Sequence, residues 1–247
     1  MRVLVTRPAG QAQRLCGLIE AAGHECVRLP TIEIQPAADP YRLEAIADTL
    51  DDYDLAVFVS VNAVQMGLER ILDQRDWPEQ TRIATVGARS AEALKAYGLS
   101  VDLVPEHRFN SEALLALEEL EDMSGRNVVI FRGNGGRAVL RDTLLERGAE
   151  VEYVEAYRRV CPTVDSGLMQ QLLQPGYLDY ITITSNEALQ NLFAMAGKEG
   201  QAALQQIPLV VVGERQAQLA AQLGFVHAPL VAAHASDTAL LAALAQA

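Results

Sequence analysis

RVLVTRPAGQAQRLCGLIEAAGHECVRLP (residues 2–30) recurs later in the chain as NVVIFRGNGGRAVLRDTLLERGAEVEYVE (residues 127–155). Aligning the two stretches places Arg7 over Arg132 and Gly23 over Gly148, both at an offset of 125 residues. Each copy has an apolar run, an Arg beside a Pro or Gly turn, an amphipathic segment that ends at Gly, and a second extended run. This order predicts a strand, a helix and a second strand in each copy.

Three further units repeat in the same order. LAVFVSVNAVQMGLERI (55–71) matches YITITSNEALQNLFAMA (180–196), with Ser60 over Ser185 at an offset of 125 residues. RIATVGARSAEALKAYGLSVDLVP (82–105) matches PLVVVGERQAQLAAQLGFVHAPLV (208–231), with Gly87 over Gly213 at an offset of 126. FNSEALLALEEL (109–120) matches HASDTALLAALAQ (234–246), and in each a Ser is predicted to cap a helix. The nearly constant offset favours duplication, although each single match also fits the ordinary alternation of strands and helices.

The alternation predicts the fold class. Strands that alternate with helices form parallel sheets covered on both faces, joined by right-handed crossovers. We therefore predict an α/β protein with two flavodoxin-like parallel-sheet lobes and an internal duplication. Two Pro-flanked extended stretches, residues 29–36 and 155–162, occupy equivalent positions and are predicted to cross between the lobes.

Composition narrows the class of protein. The 247-residue chain has a formal net charge of −12, which argues against nonspecific nucleic-acid binding but not against a small anionic ligand. The first residues lack the zones of a secretory signal, and no apolar run is long enough to span a bilayer, so a cytoplasmic location without membrane contact is expected. Cys16, Cys26 and Cys161 are too widely spaced for a metal motif and are interpreted as reduced packing residues.

Candidate binding residues follow the predicted strands. In parallel sheets ligands bind beyond the carboxyl ends of the strands, where helix N-termini present free N–H donors to anions. The candidates from the first copy are Arg7, Ser60, Asn62, Ala63, Gly87, Arg89 and Ser90, and those from the second copy are Arg132, Gly133, Asn134, Ser185, Asn186, Gly213 and Arg215. Helix capping explains the Ser and Asn residues equally well, and tight turns alone explain the glycines.

No catalytic constellation is recognisable in the pattern. The run from Arg132 to Arg137, RGNGGR, is similar to a phosphate-binding loop but matches neither G-x-G-x-x-G nor the Lys-containing P-loop. A nucleotide-dependent enzyme is therefore a less favoured alternative. From composition and spacing alone, the chain is an anion-binding α/β protein.

Several segments together resemble the uroporphyrinogen-III synthase family. They are VLVTRPAGQAQRL, LPTIEIQP, VFVSVNAV, TVGARSAEAL, ITITSNEAL and VVVGERQAQLA, in that order, and the resemblance extends over essentially the whole chain. It implies a bilobed protein with one lobe from residues 1–36 and 161–247 and the other from residues 37–160. Linker strands at about 29–37 and 155–163 would join the lobes, and each lobe would contain units of both copies.

The resemblance also implies an activity. The family converts hydroxymethylbilane, a linear tetrapyrrole with eight carboxylates, into uroporphyrinogen III without a cofactor or metal, as a cyclising lyase in heme, siroheme and cobalamin biosynthesis. Loss of the terminal hydroxyl gives an azafulvene, and a spiro intermediate then allows the last ring to invert. Because the substrate also cyclises unaided to the uninverted isomer, the enzyme mainly has to hold a conformation, which anion-binding backbone amides can do.

One acid is implied by the resemblance. Tyr157 in VEAYRRV occupies the position of a family Tyr proposed to assist hydroxyl departure, although a core or hinge role explains the residue too. The chain departs from the family at Ser90, where Thr is common, and at Glu214–Gln216, which lacks a hydroxyl residue. A monomer is expected, with transient contact with the enzyme that supplies hydroxymethylbilane left open. A two-lobed binding protein for an anionic metabolite remains the alternative from another class.

Overall fold

The computed structural model describes residues 1–246 as alternating strands and helices. The strands are β1 (Arg2–Val5), β2 (Glu25–Arg28), β3 (Glu33–Pro36), β4 (Leu55–Phe58), β5 (Arg82–Thr85), β6 (Asn127–Gly133), β7 (Glu150–Val160), β8 (Tyr180–Ile183), β9 (Leu209–Val211) and β10 (Leu230–Val231). The α-helices are α1 (Ala9–Ala21), α2 (Pro40–Asp48), α3 (Val61–Leu72), α4 (Ala88–Ala96), α5 (Ser111–Leu115), α6 (Val139–Glu146), α7 (Ser166–Leu172), α8 (Asn186–Met195), α9 (Gly197–Leu204), α10 (Glu214–Gln222) and α11 (Asp237–Leu244). In this part of the chain, none of the helices has the length and apolar character needed to cross a membrane.

The chain divides into two compact units. One comprises Met1–Glu33 and the chain from Val160 onward, and the other comprises Ile34–Arg159. The first unit contains a five-stranded sheet in the order β10-β9-β8-β1-β2, and every neighbouring pair in it is parallel. Read from β2, this is the 2-1-3-4-5 order of flavodoxin-like folds.

Helices cover both faces of this first sheet. Val3 of β1 packs with Leu15 and Leu240 from α1 and α11, whereas the adjacent Leu4 packs with Leu189 of α8 on the opposite face. Successive strand residues point to opposite faces, so a strand buried on both sides requires an uninterrupted apolar run. The run Val3–Val5 meets that requirement.

The second unit has a sheet in the order β3-β7-β6-β4-β5, in which β7, β6, β4 and β5 are parallel neighbours. Phe58 of β4 and its neighbour Phe131 of β6 stack on one face with ring centroids 4.6 Å apart. Helix α3 packs on that face through Leu68, and α6 packs on the other through Leu144. The predicted class of two parallel α/β sheets is thus confirmed.

The repeat is visible in the strand order. Strands β1, β2, β8 and β9 of the first sheet correspond to β6, β7, β4 and β5 of the second and occur in the same spatial order. The equivalent of β10 in the second unit is a single parallel bridge between Ala84 and Leu103. Each sheet therefore combines strands from both copies of the repeat.

Three of the four predicted Ser caps are confirmed, whereas Asn62 and Asn186 lie inside α3 and α8 and do not cap them. The hydroxyl oxygens of Ser60, Ser185 and Ser236 accept hydrogen bonds from backbone N–H groups in the first turns of α3, α8 and α11. The predicted cap at Ser111 is wrong, because the Asn110 side chain accepts from Ala113 N at 2.8 Å and α5 begins at Ser111 itself. Asn and Ser are comparable caps, so the helix begins one residue earlier than predicted.

Gly23 and Gly148 follow α1 and α6 with φ angles of 81° and 88°. An L side chain is strained there, so Ala at either position should destabilise the protein by about 1–2 kcal/mol. Gly148→Ala should cost more than Gly23→Ala, because a Cβ at Gly148 would lie 3.1 Å from the Cα of Ser124, whereas Gly23 has open space around it. Chemical denaturation of both variants measures the difference, and equal losses would contradict the steric explanation.

Candidate functional site

In the second unit, four candidate residues from three neighbouring strand ends line one pocket. Ser60 follows β4, Arg132 and Gly133 end β6, and Tyr157 lies near the end of β7. The pocket has a volume of about 250 Å³. It lies at the β4/β6 junction, which corresponds to the β8/β1 junction where the strand order of the flavodoxin-like sheet reverses and where ligands of such folds bind.

Tyr157 is buried, and its phenol is held by two neighbours. The Ser60 hydroxyl donates to the phenolic oxygen at 3.2 Å while Ser60 Oγ accepts from Ala63 N at 3.1 Å. A Cβ built on Gly133 would lie 2.6 Å from Cζ of Tyr157, so only glycine lets the ring pack at this position. Since Ser60 supplies the proton of their hydrogen bond, the phenolic proton remains available to a ligand.

The glycine-rich loop after β6 wraps around the Arg132 guanidinium. Arg132 donates to the carbonyl oxygens of Gly133 and Gly135, and its Cζ lies 4.4 Å from the ring centroid of Tyr153. Gly136 has a φ of 104°, and a Cβ built there would lie 2.8 Å from an Arg132 nitrogen. Gly136 therefore lets the loop pass close to the Arg132 side chain, which a larger residue would prevent.

Asn134, a predicted ligand, instead ties this loop to β7. Its side-chain oxygen accepts from Arg159 N at 2.6 Å, its side-chain nitrogen donates to Arg159 O, and its backbone N–H donates to Tyr157 O. The side chain therefore continues the β6–β7 pairing past the end of β6. This role explains Asn at the position without a ligand contact.

The first turns of α3 and α4 carry the remaining candidates of this unit. Asn62 and Ala63 lie in the first turn of α3, where the Ala63 N–H is already used by Ser60. Gly87 precedes α4, and a Cβ there would lie 3.3 Å from Cβ of Phe109. Ser90 is buried in the first turn of α4, whereas Arg89 is exposed.

In the first unit, the equivalent strand ends also carry helix N-termini. Ser185 caps α8, and the side-chain oxygen of Asn186 accepts from the Gln216 amide of α10 at 2.9 Å. Gly213 precedes α10 without a side-chain cap, and Arg215 is exposed in its first turn. The backbone donors of both helices face the carboxyl ends of parallel strands, as anion sites require.

Arg7, a predicted ligand at the end of β1, has an internal carboxylate partner. Its guanidinium donates to Asp237 at the start of α11, and both side chains are largely buried. Among residues 1–246, the equivalent Arg132 of the other unit pairs with carbonyl oxygens and an aromatic ring rather than with an acid. Glu112, which lies 125 residues before Asp237, is instead paired with Arg137.

Four polar residues that line the pocket were absent from the sequence candidates. They are Ser111, Arg137, Tyr153 and Arg159. Strand periodicity does not identify them, because the β6–β7 register shifts between Arg132 and Gly133 and interrupts the alternation of β7. Tyr153 packs with the core on the α6 face, whereas Tyr157 packs with the core on the α3 face. The Arg137 guanidinium hydrogen-bonds the exposed Glu112 carboxylate and holds the pKa of that carboxyl below its usual value.

Comparisons with known proteins agree over the whole chain. A model of the family described as uroporphyrinogen-III synthase HemD matches residues 13–242. The chain is 34% identical over 246 residues to the uroporphyrinogen-III synthase of Escherichia coli K12, covering 99% of this chain and 100% of that one. It is also 34% identical to the uroporphyrinogen-III synthase of Salmonella typhimurium, with the same coverage.

Solved structures share the fold. A mutant uroporphyrinogen III synthase from Thermus thermophilus superposes with a TM-score of 0.65 at 21% identity, and the Helicobacter pylori uroporphyrinogen-III synthetase with 0.65 at 16%, each with full coverage of both chains. The fold is that of an α/β protein of two parallel-sheet units, with helix N-termini and arginine side chains at the carboxyl ends of the strands. With the family match and the full-length relatives, the chain belongs to the uroporphyrinogen-III synthase family.

Proposed function

We propose that this protein converts hydroxymethylbilane into uroporphyrinogen III, with inversion of the last pyrrole ring through a spiro intermediate and loss of one water. Membership of the family supports the reaction. The observation that carries the residue assignment is the Tyr157 phenol, held between Ser60 and Gly133 at the carboxyl edge of a parallel sheet.

Tyr157 acts as the general acid in this proposal. A phenol is protonated at neutral pH and can donate to the departing hydroxyl, which then leaves as water. The hydrogen bond from Ser60 supports this role because it stabilises the phenolate that forms. After the last pyrrole ring recloses through its other α position, that carbon releases a proton as the ring regains aromaticity. This proton restores the phenol, so the net change is loss of one water.

The remaining candidate residues position the substrate by binding its carboxylates. They are Arg7, Ser60, Asn62, Ala63, Gly87, Arg89, Ser90, Arg132, Gly133, Asn134, Ser185, Asn186, Gly213 and Arg215. Ala63 and Asn134 would contribute only by giving up their hydrogen bonds with Ser60 and Arg159. The first turns of α3, α8 and α10 contribute backbone N–H groups, which suits a reaction that depends on holding a conformation. Arg7 would contribute only after exchanging its Asp237 partner for a substrate carboxylate.

The proposal includes a cofactor-independent lyase that works as a monomer in the cytoplasm. The chemistry described above requires only acid assistance and positioning. A transient contact with the enzyme that makes hydroxymethylbilane would shorten the lifetime of free substrate and so limit spontaneous closure to the uninverted isomer.

Freshly made hydroxymethylbilane tests the activity. With the protein present, the oxidised product should be predominantly the type III isomer, whereas the reaction without protein should give type I because the uncatalysed closure does not invert the ring. Chromatographic separation of the isomers measures the ratio. Type I product from correctly folded protein would rule the activity out and favour a binding protein for anionic metabolites.

A further inference from the structure

The pocket lined by Tyr157 and Arg132 is too small for a whole tetrapyrrole. Its volume is about 250 Å³, whereas sites that enclose an entire small-molecule ligand occupy about 300–1,000 Å³. The pocket therefore accommodates a part of a large ligand, such as one ring substituent.

The pocket is positively lined in an acidic protein. Arg132, Arg137 and Arg159 line it, and no Asp or Glu does so among the residues described. The chain as a whole carries a formal charge of −12, which repels a polyanion at long range. A local cluster of guanidinium groups overcomes that repulsion and recognises carboxylates by paired N–H donors.

Tyr153 provides a second, independent indication of a ligand. It lines the same pocket, and its hydroxyl oxygen is buried with no hydrogen-bond partner within residues 1–246. Its ring lies under the guanidinium groups of Arg132 and Arg141, with centroid distances of 4.4 and 5.5 Å. A buried hydroxyl without a partner is unfavourable unless something else supplies the acceptor.

We infer that this pocket is a carboxylate subsite in which Arg137 and Tyr153 join Arg132 in binding one acidic side chain of the substrate. The inference rests on the proposed function and adds two residues to it. Without substrate, the Glu112 carboxylate forms an ion pair with the Arg137 guanidinium. The substrate carboxylate takes the place of Glu112 on the Arg137 guanidinium, and the Tyr153 hydroxyl donates to its second oxygen.

If Glu112 and the substrate carboxylate compete for Arg137, substitutions at Arg137 and Glu112 should affect ligand binding differently. If Arg137 binds the ligand, Arg137→Gln weakens binding while Glu112→Gln leaves it unchanged or tightens it, because the internal competitor has lost its charge. If the ion pair only shapes the loop, both substitutions break the same pair and weaken binding alike. The two mechanisms therefore predict different results for Glu112→Gln.

Binding of uroporphyrin III, the oxidised product, is measured by isothermal titration at constant ionic strength. We expect about a ten-fold rise in Kd for Arg137→Gln and no rise for Glu112→Gln. Arg126→Gln is the matched control, since Arg126 is a comparably exposed arginine paired with Asp54 at the opposite end of β6. A rise for Glu112→Gln equal to that for Arg137→Gln, an unchanged Kd for Arg137→Gln, or an equal rise for Arg126→Gln would overturn the inference.

Tyr153→Phe separates binding from folding. Removing an unpartnered buried hydroxyl should leave the unfolding midpoint unchanged or raise it, while Kd rises about three- to ten-fold. A Kd equal to that of the unsubstituted protein would remove Tyr153 from the subsite. Formation of type III product by the unsubstituted protein tests the proposed function separately, since it persists if the subsite is wrong and is absent if the function is wrong.

Discussion

Tyr157→Phe is expected to lower kcat for type III formation by about 100-fold or more, because general acid assistance contributes about 10²–10⁴-fold to such steps. Stability should fall by only about 1 kcal/mol, the cost of one hydrogen bond, since the phenyl ring retains the packing of the buried phenol. Rapid quenching and isomer analysis measure the rate, and thermal unfolding measures stability.

The same substitution at Tyr53 is the control. Tyr53 donates its hydroxyl proton to Glu152 at 2.7 Å just before β4, at the opposite edge of the same sheet. Tyr53→Phe removes a hydrogen bond to a carboxylate, which is stronger than the one at Tyr157. Tyr53 lies far from the strand ends that carry the candidates, so kcat should stay within about two-fold of the original. If Tyr157→Phe retained full turnover, positioning alone would carry the reaction and Tyr157 would not be its acid.

Gly133→Ala is expected to lower both activity and stability. The new methyl would lie 2.6 Å from Cζ and 2.7 Å from Cε2 of Tyr157. The ring cannot move away freely, because Tyr157 is only 4% exposed and packs in the core cluster that contains Phe131. Overpacking of this kind costs about 1–3 kcal/mol, and displacement of the phenol should reduce kcat by about 100-fold through lost geometry.

Gly67→Ala, in the same core, is expected to have the opposite effect on stability from Gly133→Ala. A Cβ on Gly67 would lie 3.5 Å from Phe58 and 3.6 Å from Ala156, which are ordinary contacts. Gly67 lies inside α3, where Ala is favoured over Gly by about 0.5–1 kcal/mol. Gly67→Ala should therefore raise the unfolding midpoint and preserve turnover. Equal stability of the two variants would contradict the close approach of Tyr157 to Gly133.

The repeat made much of the fold predictable. The offset of 125 residues relates Ser60 to Ser185, and both cap helices as the pattern indicates. Uninterrupted apolar strand runs and helix punctuation are local properties that a single sequence displays. The predicted cap at Ser111 failed for an equally local reason, since two adjacent residues can each serve as the cap.

The sequence predicted that the candidate residues lie at strand ends, but it did not predict which side chains they contact. Arg7 and Arg132 are equivalent in the repeat, yet Arg7 pairs with Asp237 whereas Arg132 lies over Tyr153. Asn134 was predicted to bind the ligand because of its polar side chain, but that side chain hydrogen-bonds Arg159 of β7. Side-chain partners depend on packing between segments far apart in sequence, which periodicity does not encode.

The sequence by itself determined the class of fold, the duplication and the strand ends at which the candidate residues lie, because apolar periodicity and helix punctuation act over a few residues. Local pattern does not show that each sheet combines strands from both copies, which the family resemblance implied and the order β10-β9-β8-β1-β2 requires. Only the tertiary structure decided that Tyr157, Ser60 and Gly133 meet, since parallel strands that are distant in the chain end side by side. Strand pairing between distant segments, rather than local pattern, creates that site.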